Sequence, residues 1–449
     1  MAALMVSISG IRGIVGKSLT PAVVQKYAMA FGETMKQSTV IVGGDSRTSG
    51  TFIKNIVKGC LQACGCNVID VGIVPTPTLQ MEILHHKAAG GVAITASHNP
   101  SEWNGLKFMG ADGRFLSPQI AQAVYDLADR GSTDLKTWES IGSETSDPGA
   151  NQRHIDAVLN LPYIDLPALR QRKFKVVADT VNGAGGLIIP QLLESMGCEV
   201  VVINGEANGH FAHTPEPLPE NLVQLSAAVK SNGADIGFAV DPDVDRCAII
   251  DNTGSPIGEE YTLAAAVKFI LSKKLGPVVV NMSTSRASED IARFYNCPFY
   301  RSKVGEINVV EEMARQEAVI GGEGNGGVIL PELHLGRDAP LAIALTLQAL
   351  LESNDTMETL AASLPRYRMV KSKINIEDKD PDKIIQQMID RFSDKPTNLL
   401  DGLKIDGKDN WVHLRKSNTE PIIRIISEAP SEEKAQSLVK EYTDIIQSL

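Results

Sequence analysis

The stretch that decides the fold reads GGVAITASHNP, residues 90–100. An apolar run from Gly90 to Thr95 leads directly into Ser97, and His98 and an Asn-Pro pair follow. The apolar run predicts a buried strand, and Asn-Pro predicts the loop in which that strand ends. A serine hydroxyl is a weak nucleophile unless a base, a cation or a metal lies beside it. The pattern favours either an ordinary turn or a reactive serine at a strand end, with Lys107 a few residues beyond.

A second strand runs into an acidic loop. Ile236–Val240 is apolar, and DPDVDR follows at residues 241–246. Three carboxylates at alternating positions repel one another unless a cation holds them. Carboxylate oxygens suit Mg²⁺, and the loop is too short for an EF-hand. Asp241, Asp243 and Asp245 are therefore predicted metal ligands, with a solvated acidic turn as the alternative.

Two further loops could bind an anion or a polar ligand. RKSNTEP, residues 415–421, offers a guanidinium group, hydroxyls and backbone N–H groups, and Arg424 lies just beyond. Such a loop suits a phosphate. GGEGNGG, residues 321–327, has glycines that let the backbone approach a ligand while Glu323 and Asn325 hydrogen-bond it. Each loop taken alone could equally be an ordinary turn.

Taken together and in their order along the chain, the four loops resemble those of the α-D-phosphohexomutase superfamily. Shorter stretches agree with them: SGIRG at residues 9–13, GDSRTSG at 44–50 and PEP at 215–217. The resemblance extends over nearly the whole chain, from about residue 7 to about residue 430.

The resemblance implies an α/β fold with four domains around a central cleft. Three domains would contain mixed sheets, and a smaller α+β domain would end the chain. The expected domains are residues 1–150 with the phosphoserine loop, 151–254 with the metal loop, 255–370 with the sugar loop and 371–449 with the phosphate loop.

The resemblance also implies a role for each site residue, with Ser97 as a phosphoserine whose phosphoryl group binds Mg²⁺ together with the acidic loop. The residues expected to carry the phosphoryl group and to handle protons and charge are Ser97, His98, Lys107, Arg12 and Arg246. The expected metal ligands are Ser97, Asp241, Asp243 and Asp245. The residues expected to bind the sugar are Glu323 and Asn325, and those expected to bind the phosphate that does not react are Arg415, Ser417, Asn418, Thr419 and Arg424.

Enzymes of this superfamily move a phosphoryl group between O6 and O1 of a sugar through the phosphoserine and a hexose 1,6-bisphosphate. Met282-Ser283 resembles the phosphoglucosamine mutase branch, whereas the phosphomannomutase/phosphoglucomutase branch typically carries lysine at the position of Ser283. The expected substrates are glucosamine 6-phosphate and glucosamine 1-phosphate, with mannose or glucose phosphates as the alternative. The chain departs from the family at DPDVDR, where glycines are commoner, and at Gly327, where many members carry histidine.

Two other classes of function stay open. Asp241 could itself be the nucleophile of an aspartyl-phosphate phosphatase or phosphotransferase. The chain could also be a catalytically silent sensor of sugar phosphates, although the presence of Ser97, Lys107 and the three loop aspartates argues against a silent protein.

Composition narrows the range of partners. A formal net charge of −11 over 449 residues argues against a nucleic-acid-binding surface or a basic membrane patch. The sequence contains no apolar run of ~18 residues and no h-region near residue 1, so we expect neither export nor a membrane span. We expect a cytoplasmic protein, monomeric or homodimeric, whose partners are small-molecule sugar phosphates. Cys60, Cys64 and Cys66 are predicted to be packing residues in a reducing environment, and not metal ligands.

Strand-like and helix-like segments alternate along the chain, which favours mixed or parallel sheets covered by helices. The first expected elements are a helix at residues 21–36, a strand at 39–43, a helix at 51–64 and a strand at 67–71. A linker is expected at residues 142–151, and further domain boundaries are expected at 254–259 and 372–380.

Overall fold

The computed structural model describes residues 4–131, 134–376, 379–416 and 422–449. Among these residues no helix is both long enough and apolar enough to cross a membrane.

The first part of the chain forms a seven-stranded sheet with flanking helices. Its elements are β1 (Met5–Ser7), β2 (Gly10–Ile14), α1 (Pro21–Thr34), β3 (Thr39–Gly44), α2 (Gly50–Ala63), β4 (Asn67–Ile73), α3 (Thr76–His85), β5 (Gly90–Ile94), β6 (Trp103–Gly110), α4 (Pro118–Arg130) and β7 (Glu144–Ser146). The strand order is β1-β2-β6-β5-β3-β4-β7. β3 pairs in parallel with β4 and β5, whereas β5 is antiparallel to β6, with Ala93 opposite Lys107. Ser97 therefore lies just beyond the end of β5, and Lys107 lies on the neighbouring strand.

The local sequence explains where the helices of this part begin. Thr20 caps α1 by accepting a hydrogen bond from the backbone N–H of Val23, and Pro21 occupies the first helical position. Ser117 and Pro118 begin α4 in the same way. The inner faces of the helices and strands share one apolar core, which includes Phe31, Val42, Val92, Phe108 and Val124.

The next part of the chain forms a four-stranded sheet. Its elements are α5 (Ala150–Leu159), α6 (Leu166–Arg172), β8 (Lys175–Asp179), α7 (Ile189–Ser195), β9 (Glu199–Ile203), α8 (Val223–Asn232), β10 (Ile236–Val240) and β11 (Cys247–Ile250). The strand order is β11-β10-β8-β9, with β10 parallel to β8 and antiparallel to β11. The acidic loop at residues 241–246 is therefore the connection of the hairpin between β10 and β11.

A third set of elements contains three strands that pair in parallel. The elements are α9 (Glu259–Lys273), β12 (Val278–Asn281), α10 (Ala287–Phe294), β13 (Phe299–Ser302), α11 (Glu306–Gln316), β14 (Ile320–Glu323), β15 (Gly327–Ile329), α12 (Ala339–Ser353) and α13 (Met357–Ala362). The fully buried β12 pairs in parallel with β13 on one side and with β14 on the other.

The last part of the chain forms an antiparallel sheet with two helices. Its elements are β16 (Arg368–Asn375), α14 (Pro381–Arg391), β17 (Thr397–Asn398), β18 (Leu403–Asp406), β19 (Trp411–Lys416), β20 (Ile422–Ala429) and α15 (Glu432–Ser448). The strand order is β16-β20-β19-β18-β17. The residues at which the last domain boundary is expected, 372–380, overlap the end of β16, because Ser372–Asn375 pair with Ile422–Ile425 of β20. Three α/β sheets followed by a smaller C-terminal domain with an antiparallel sheet confirm the predicted fold class.

The chain divides into two compact units. The first is formed by Met1–Thr262 with Gly326–Leu360, and the second by Leu263–Asn325 with Ala361–Leu449. The Ser97 loop and the acidic loop belong to the first unit, whereas Glu323, Asn325 and Arg415 belong to the second.

The cysteines behave as predicted. Cys60, Cys64 and Cys66 are buried free thiols. Burial raises the pKa of Cys60 to about 11 and that of Cys64 to about 12. These thiols stay protonated near neutral pH and act as packing residues.

Candidate active site

The loop after β5 holds Ser97 in a strained backbone conformation. Ser97 has a φ of 51°, in the left-handed region, which costs a non-glycine residue about 1–2 kcal/mol. Its backbone N–H donates to Thr95 Oγ1 at 2.9 Å, and the residue is buried. Such a conformation persists only where the surrounding contacts hold the loop in place.

Arg47 provides most of those contacts. Its guanidinium group donates at 2.6–3.0 Å to four loop carbonyl oxygens, those of Ser97, Asn99, Pro100 and Trp103. Asp45 accepts hydrogen bonds from Arg47 Nε at 3.1 Å and from Thr95 Oγ1 at 2.6 Å. Neither residue was predicted as part of the site, although both lie in the GDSRTSG stretch that was noticed in the sequence.

The Ser97 hydroxyl lies between the acidic loop and a histidine. Ser97 Oγ donates to Asp241 Oδ2 at 3.1 Å and lies 3.3 Å from His98 Nδ1. Burial, together with the nearby Arg246 and Arg12, lowers the pKa of His98 to about 2. The imidazole is therefore neutral near physiological pH and has a ring nitrogen that can accept a proton.

The acidic loop concentrates three buried carboxylates. Asp241, Asp243 and Asp245 are fully buried, and one oxygen of each lies within 4.8 Å of the others. Asp241 Oδ1 fixes the turn by accepting from the backbone N–H groups of Asp245 and Arg246, at 3.1 and 3.2 Å. Val244 occupies the turn with a φ of 61°, a conformation that is rare for a β-branched residue and easy for glycine. Val244 stands in the DPDVDR loop, where glycines are commoner in the family, and it therefore places backbone strain in this turn.

A lysine, an arginine and a hydroxyl offset part of the negative charge. Lys107 Nζ donates to Asp243 Oδ2 at 2.6 Å and lies 3.7 Å from Asp245 Oδ2. Thr76 Oγ1 donates to the same oxygen of Asp243 at 2.7 Å, and Arg337 Nη2 donates to Asp245 Oδ2. Although burial opposes ionisation of Asp243, Lys107 holds the pKa of this carboxyl below its ordinary value.

Two oxygens of the acidic loop are buried without a hydrogen-bond partner. They are Asp243 Oδ1 and Asp245 Oδ1. A buried carboxylate oxygen left unsatisfied costs free energy unless a cation binds it. Burial and repulsion from Asp245 and Asp243 raise the pKa of Asp241, which is another sign of uncompensated negative charge in the loop. Because all the available donors are hard oxygens, the acidic loop could hold a divalent cation such as Mg²⁺.

Arg12 and Arg246 add positive charge around the two loops. Arg12 lies on β2, and its Nη1 donates to Asn99 Oδ1 at 3.4 Å. Arg246 Nε lies 3.7 Å from Asp245 Oδ1 and 4.0 Å from Asp241 Oδ2, and it is buried without a hydrogen bond. The first unit thus brings together Ser97, His98, Lys107, Arg12, Arg246 and the three aspartates, all predicted from the sequence.

Thr76 and Arg337 were not predicted. Asp338, next to Arg337, caps α12 by accepting from the backbone N–H of Leu341 at 2.8 Å. Its Oδ2 accepts from Nε2 of both His154 and His334, at 2.8 and 2.9 Å. An aspartate before an apolar run is an N-cap signal, but nothing in the sequence links Arg337 to an aspartate 92 residues earlier.

In the second unit, Glu323 ends β14 and is buried. Its Oε1 accepts from Asn281 Nδ2 at 2.7 Å and from the backbone N–H of Gly305 at 3.0 Å. Asn325 follows in the connection to β15. The glycine-rich loop therefore begins from a carboxylate that is already held in place.

The predicted phosphate-binding residues are described only in part. Arg415 on β19 lies opposite the exposed Arg424 on β20. Arg415 Nε is 3.4 Å from Asp401 Oδ2. Ser417, Asn418 and Thr419 lie outside the described residues.

The acidic loop predicts a measurable response to a divalent cation. Mg²⁺ at one hundred times its Kd should raise the free energy of unfolding by about 2.7 kcal/mol, because it binds the folded chain only. Asp243→Asn should lose most of this increase, as measured by urea denaturation with and without Mg²⁺. Asp129→Asn, at a carboxylate whose side chain is 71% exposed, is the matched control and should keep the increase. An equal increase in Asp243→Asn and the wild type would contradict the metal assignment.

Four stretches of the chain match successive domains of one protein family. Residues 5–134, 152–254 and 258–367 match the alpha/beta/alpha domains I, II and III of phosphoglucomutase/phosphomannomutase, and residues 373–445 match its C-terminal domain.

Individual relatives agree over the whole length. A phosphoglucomutase/phosphomannomutase of Thermococcus kodakarensis is 38% identical over 96% of each chain. A probable phosphoglucosamine mutase of Methanopyrus kandleri is 35% identical over 98% of this chain and 96% of its own. The solved structure of a phosphoglucomutase/phosphomannomutase family protein from Burkholderia thailandensis matches with a TM-score of 0.85 and 25% identity, over 99% of this chain and 98% of the other. The chain therefore belongs to the phosphoglucomutase/phosphomannomutase family, within the α-D-phosphohexomutase superfamily.

Proposed function

We propose that the protein interconverts glucosamine 6-phosphate and glucosamine 1-phosphate, with Ser97 as the phosphoryl carrier and glucosamine 1,6-bisphosphate as the intermediate. The observation that carries the proposal is the position of the Ser97 hydroxyl, 3.1 Å from Asp241 and 3.3 Å from His98. Phosphoryl transfer depends mainly on positioning and on neutralised charge, which these surroundings supply. The name of the Methanopyrus kandleri relative, probable phosphoglucosamine mutase, supports the same reaction.

In the first half-reaction a sugar hydroxyl attacks the phosphorus of phosphorylated Ser97. The bond from Ser97 Oγ to phosphorus breaks, a bond from the sugar oxygen to phosphorus forms, and the hydroxyl proton passes by way of His98 to Ser97 Oγ. His98 is neutral in the unphosphorylated protein, and a phosphoserine dianion beside it would raise its pKa and make it a better proton acceptor. In the second half-reaction Ser97 Oγ attacks the other phosphorus: the bond from the sugar oxygen to that phosphorus breaks, a bond from Ser97 Oγ forms, and the serine proton passes to the sugar oxygen, which regenerates the carrier.

The charges around Ser97 have separate tasks in this proposal. Asp241, Asp243 and Asp245, with a phosphoryl oxygen on Ser97, would hold Mg²⁺, which when bound offsets charge on the transferred group. Lys107 Nζ, 2.6 Å from Asp243, keeps that carboxylate ionised and in place. Lys107, Arg12 and Arg246 also supply positive charge where negative charge develops during the transfer.

Other residues would bind the rest of the substrate. Glu323 and Asn325 would hydrogen-bond the sugar hydroxyls. The phosphate that does not react would bind to Arg415 and Arg424 and to the segment with Ser417, Asn418 and Thr419, since a guanidinium group can bind phosphate in a bidentate manner. The bisphosphate must turn between the half-reactions, so these contacts have to accept either of its phosphates.

The domain limits 1–150, 151–254, 255–370 and 371–449 stay predictions.

The sugar is the least constrained part of the proposal. Ser283 favours an amino sugar, whereas the name of the Thermococcus kodakarensis relative favours glucose and mannose phosphates. A coupled assay with glucosamine, glucose and mannose 6-phosphates should give the highest kcat/KM with the first. A clear preference for glucose or mannose 6-phosphate would instead assign the protein to the phosphomannomutase/phosphoglucomutase branch.

A cytoplasmic location, a monomeric or homodimeric state and the absence of a nucleic-acid partner stay predictions.

Ser97→Ala should lose nearly all mutase activity, because no other described group is placed to carry the phosphoryl group. Steady-state assays with hexose 1,6-bisphosphate present measure the loss. If the variant kept more than about a tenth of the wild-type kcat, only about 1.4 kcal/mol of the barrier would depend on Ser97. The phosphoserine mechanism would then be wrong, and mass spectrometry that located phosphate on Asp241 would favour the aspartyl-phosphate alternative.

Lys107→Ala and Arg415→Ala should fail in different ways. Lys107 acts on charge that develops during the transfer, so its loss should lower kcat more than it raises KM. Arg415 binds the phosphate that does not react, so its loss should raise KM roughly 10- to 150-fold and make turnover depend on added hexose 1,6-bisphosphate. Lys26→Ala, at a half-exposed surface lysine, is the control and should change neither constant. Identical kinetic profiles for the two variants would count against the separate roles.

A further inference from the structure

A series of hydrogen bonds in the second unit leads from Glu323 towards β19. Glu323 Oε1 accepts from Asn281 Nδ2 at 2.7 Å. Asn281 Oδ1 accepts from the backbone N–H of Ser283 at 2.9 Å, which fixes the segment that follows β12. Ser283 Oγ lies 3.0 Å from Nδ1 of His413, a buried residue of β19.

The proton positions along this series follow from the partners. His413 Nε2 lies 2.6 Å from the carbonyl oxygen of Asp401. A carbonyl oxygen can only accept, so Nε2 carries the proton. Burial lowers the pKa of His413 to about 4, so the ring is neutral and its Nδ1 is an acceptor. The Ser283 hydroxyl is therefore the donor to His413.

Asp401 closes the series into a ring. Its Oδ2 accepts from the backbone N–H of Val304 at 3.0 Å, and the next residue, Gly305, donates to Glu323 Oε1 at 3.0 Å. The same Asp401 oxygen is 3.4 Å from Arg415 Nε. His413 and Arg415 are two residues apart on β19, so they lie on the same face of that strand.

We propose that Ser283, His413 and Asp401 are positioning residues that fix Arg415 at a set distance from Glu323. This inference rests on the proposed function, in which Arg415 binds a phosphate and Glu323 binds sugar hydroxyls of the same hexose phosphate. A rigid spacing between the two groups selects a sugar phosphate by the distance from its phosphate to its hydroxyls. Ser283 thereby acts on Arg415 through His413 and Asp401.

The test is the Kd of glucosamine 6-phosphate, measured by isothermal titration calorimetry on the full-length protein. Ser283→Ala removes one hydroxyl and should weaken binding roughly 2- to 12-fold, the change expected for one lost hydrogen bond. Ser283→Thr keeps the hydroxyl and should bind within about twofold of the wild type. Ser288→Ala is the matched control, because the Ser288 hydroxyl on α10 is buried without a hydrogen-bond partner, and it should leave the Kd unchanged.

A double variant separates positioning from a general loss of structure. In the Arg415→Ala background, Ser283→Ala should have almost no further effect on the Kd, because the residue through which it acts is gone. Asp401→Asn removes the charge beside Arg415 and should weaken binding in the same background-dependent way. Unchanged Kd in Ser283→Ala, or an equal weakening with and without Arg415, would overturn the inference.

The same titration distinguishes failure of this inference from failure of the proposed function. A wild-type protein that binds glucosamine 6-phosphate without turning it over would contradict the mutase reaction, while the Kd values of the variants would still decide the role of the ring. A wild-type protein that binds no hexose 6-phosphate would contradict both.

Discussion

Three carboxylates buried within 4.8 Å of one another are the constraint on which the first unit depends. Their repulsion is offset by groups from three separate elements: Lys107 on β6, Thr76 at the start of α3 and Arg337 just before α12. Satisfying the acidic loop therefore also fixes how these elements pack around it. The offset is incomplete, since Asp243 Oδ1 and Asp245 Oδ1 keep no hydrogen-bond partner. A divalent cation bound to these oxygens would offset more of the negative charge.

The same constraint gives a reason for the strained loop after β5. Ser97 takes a left-handed conformation, and its hydroxyl donates to Asp241. The bonds from Arg47 to four loop carbonyl oxygens stabilise that conformation, and Asp45 in turn holds Arg47. A relaxed turn would not require a buried arginine. These hydrogen bonds thus hold the Ser97 hydroxyl beside the Asp241 carboxylate, as the proposed role of phosphoryl carrier requires.

The sequence predicted the parts of the site that are local. An apolar run followed by Ser97 or by Asp241 predicts a buried strand with a polar, potentially reactive side chain just beyond its end. Both strands, β5 and β10, lie where they are expected. Contacts between distant segments were missed, because no local pattern joins Arg337 to Asp245 or Ser283 to His413. Val244 was unpredictable at a positive φ, since valine favours extended backbone. β16 is hard to predict as a strand because three of its eight residues are charged and its burial is slight.

The central claim is that Ser97 passes its phosphoryl group to a sugar and takes one back. The most direct measurement is a single turnover with protein that carries a labelled phosphoryl group on Ser97, mixed with unlabelled glucosamine 6-phosphate and Mg²⁺. We expect the label to appear first in glucosamine 1,6-bisphosphate and then in the hexosamine monophosphates. Label released as inorganic phosphate, with none in the sugar, would contradict it.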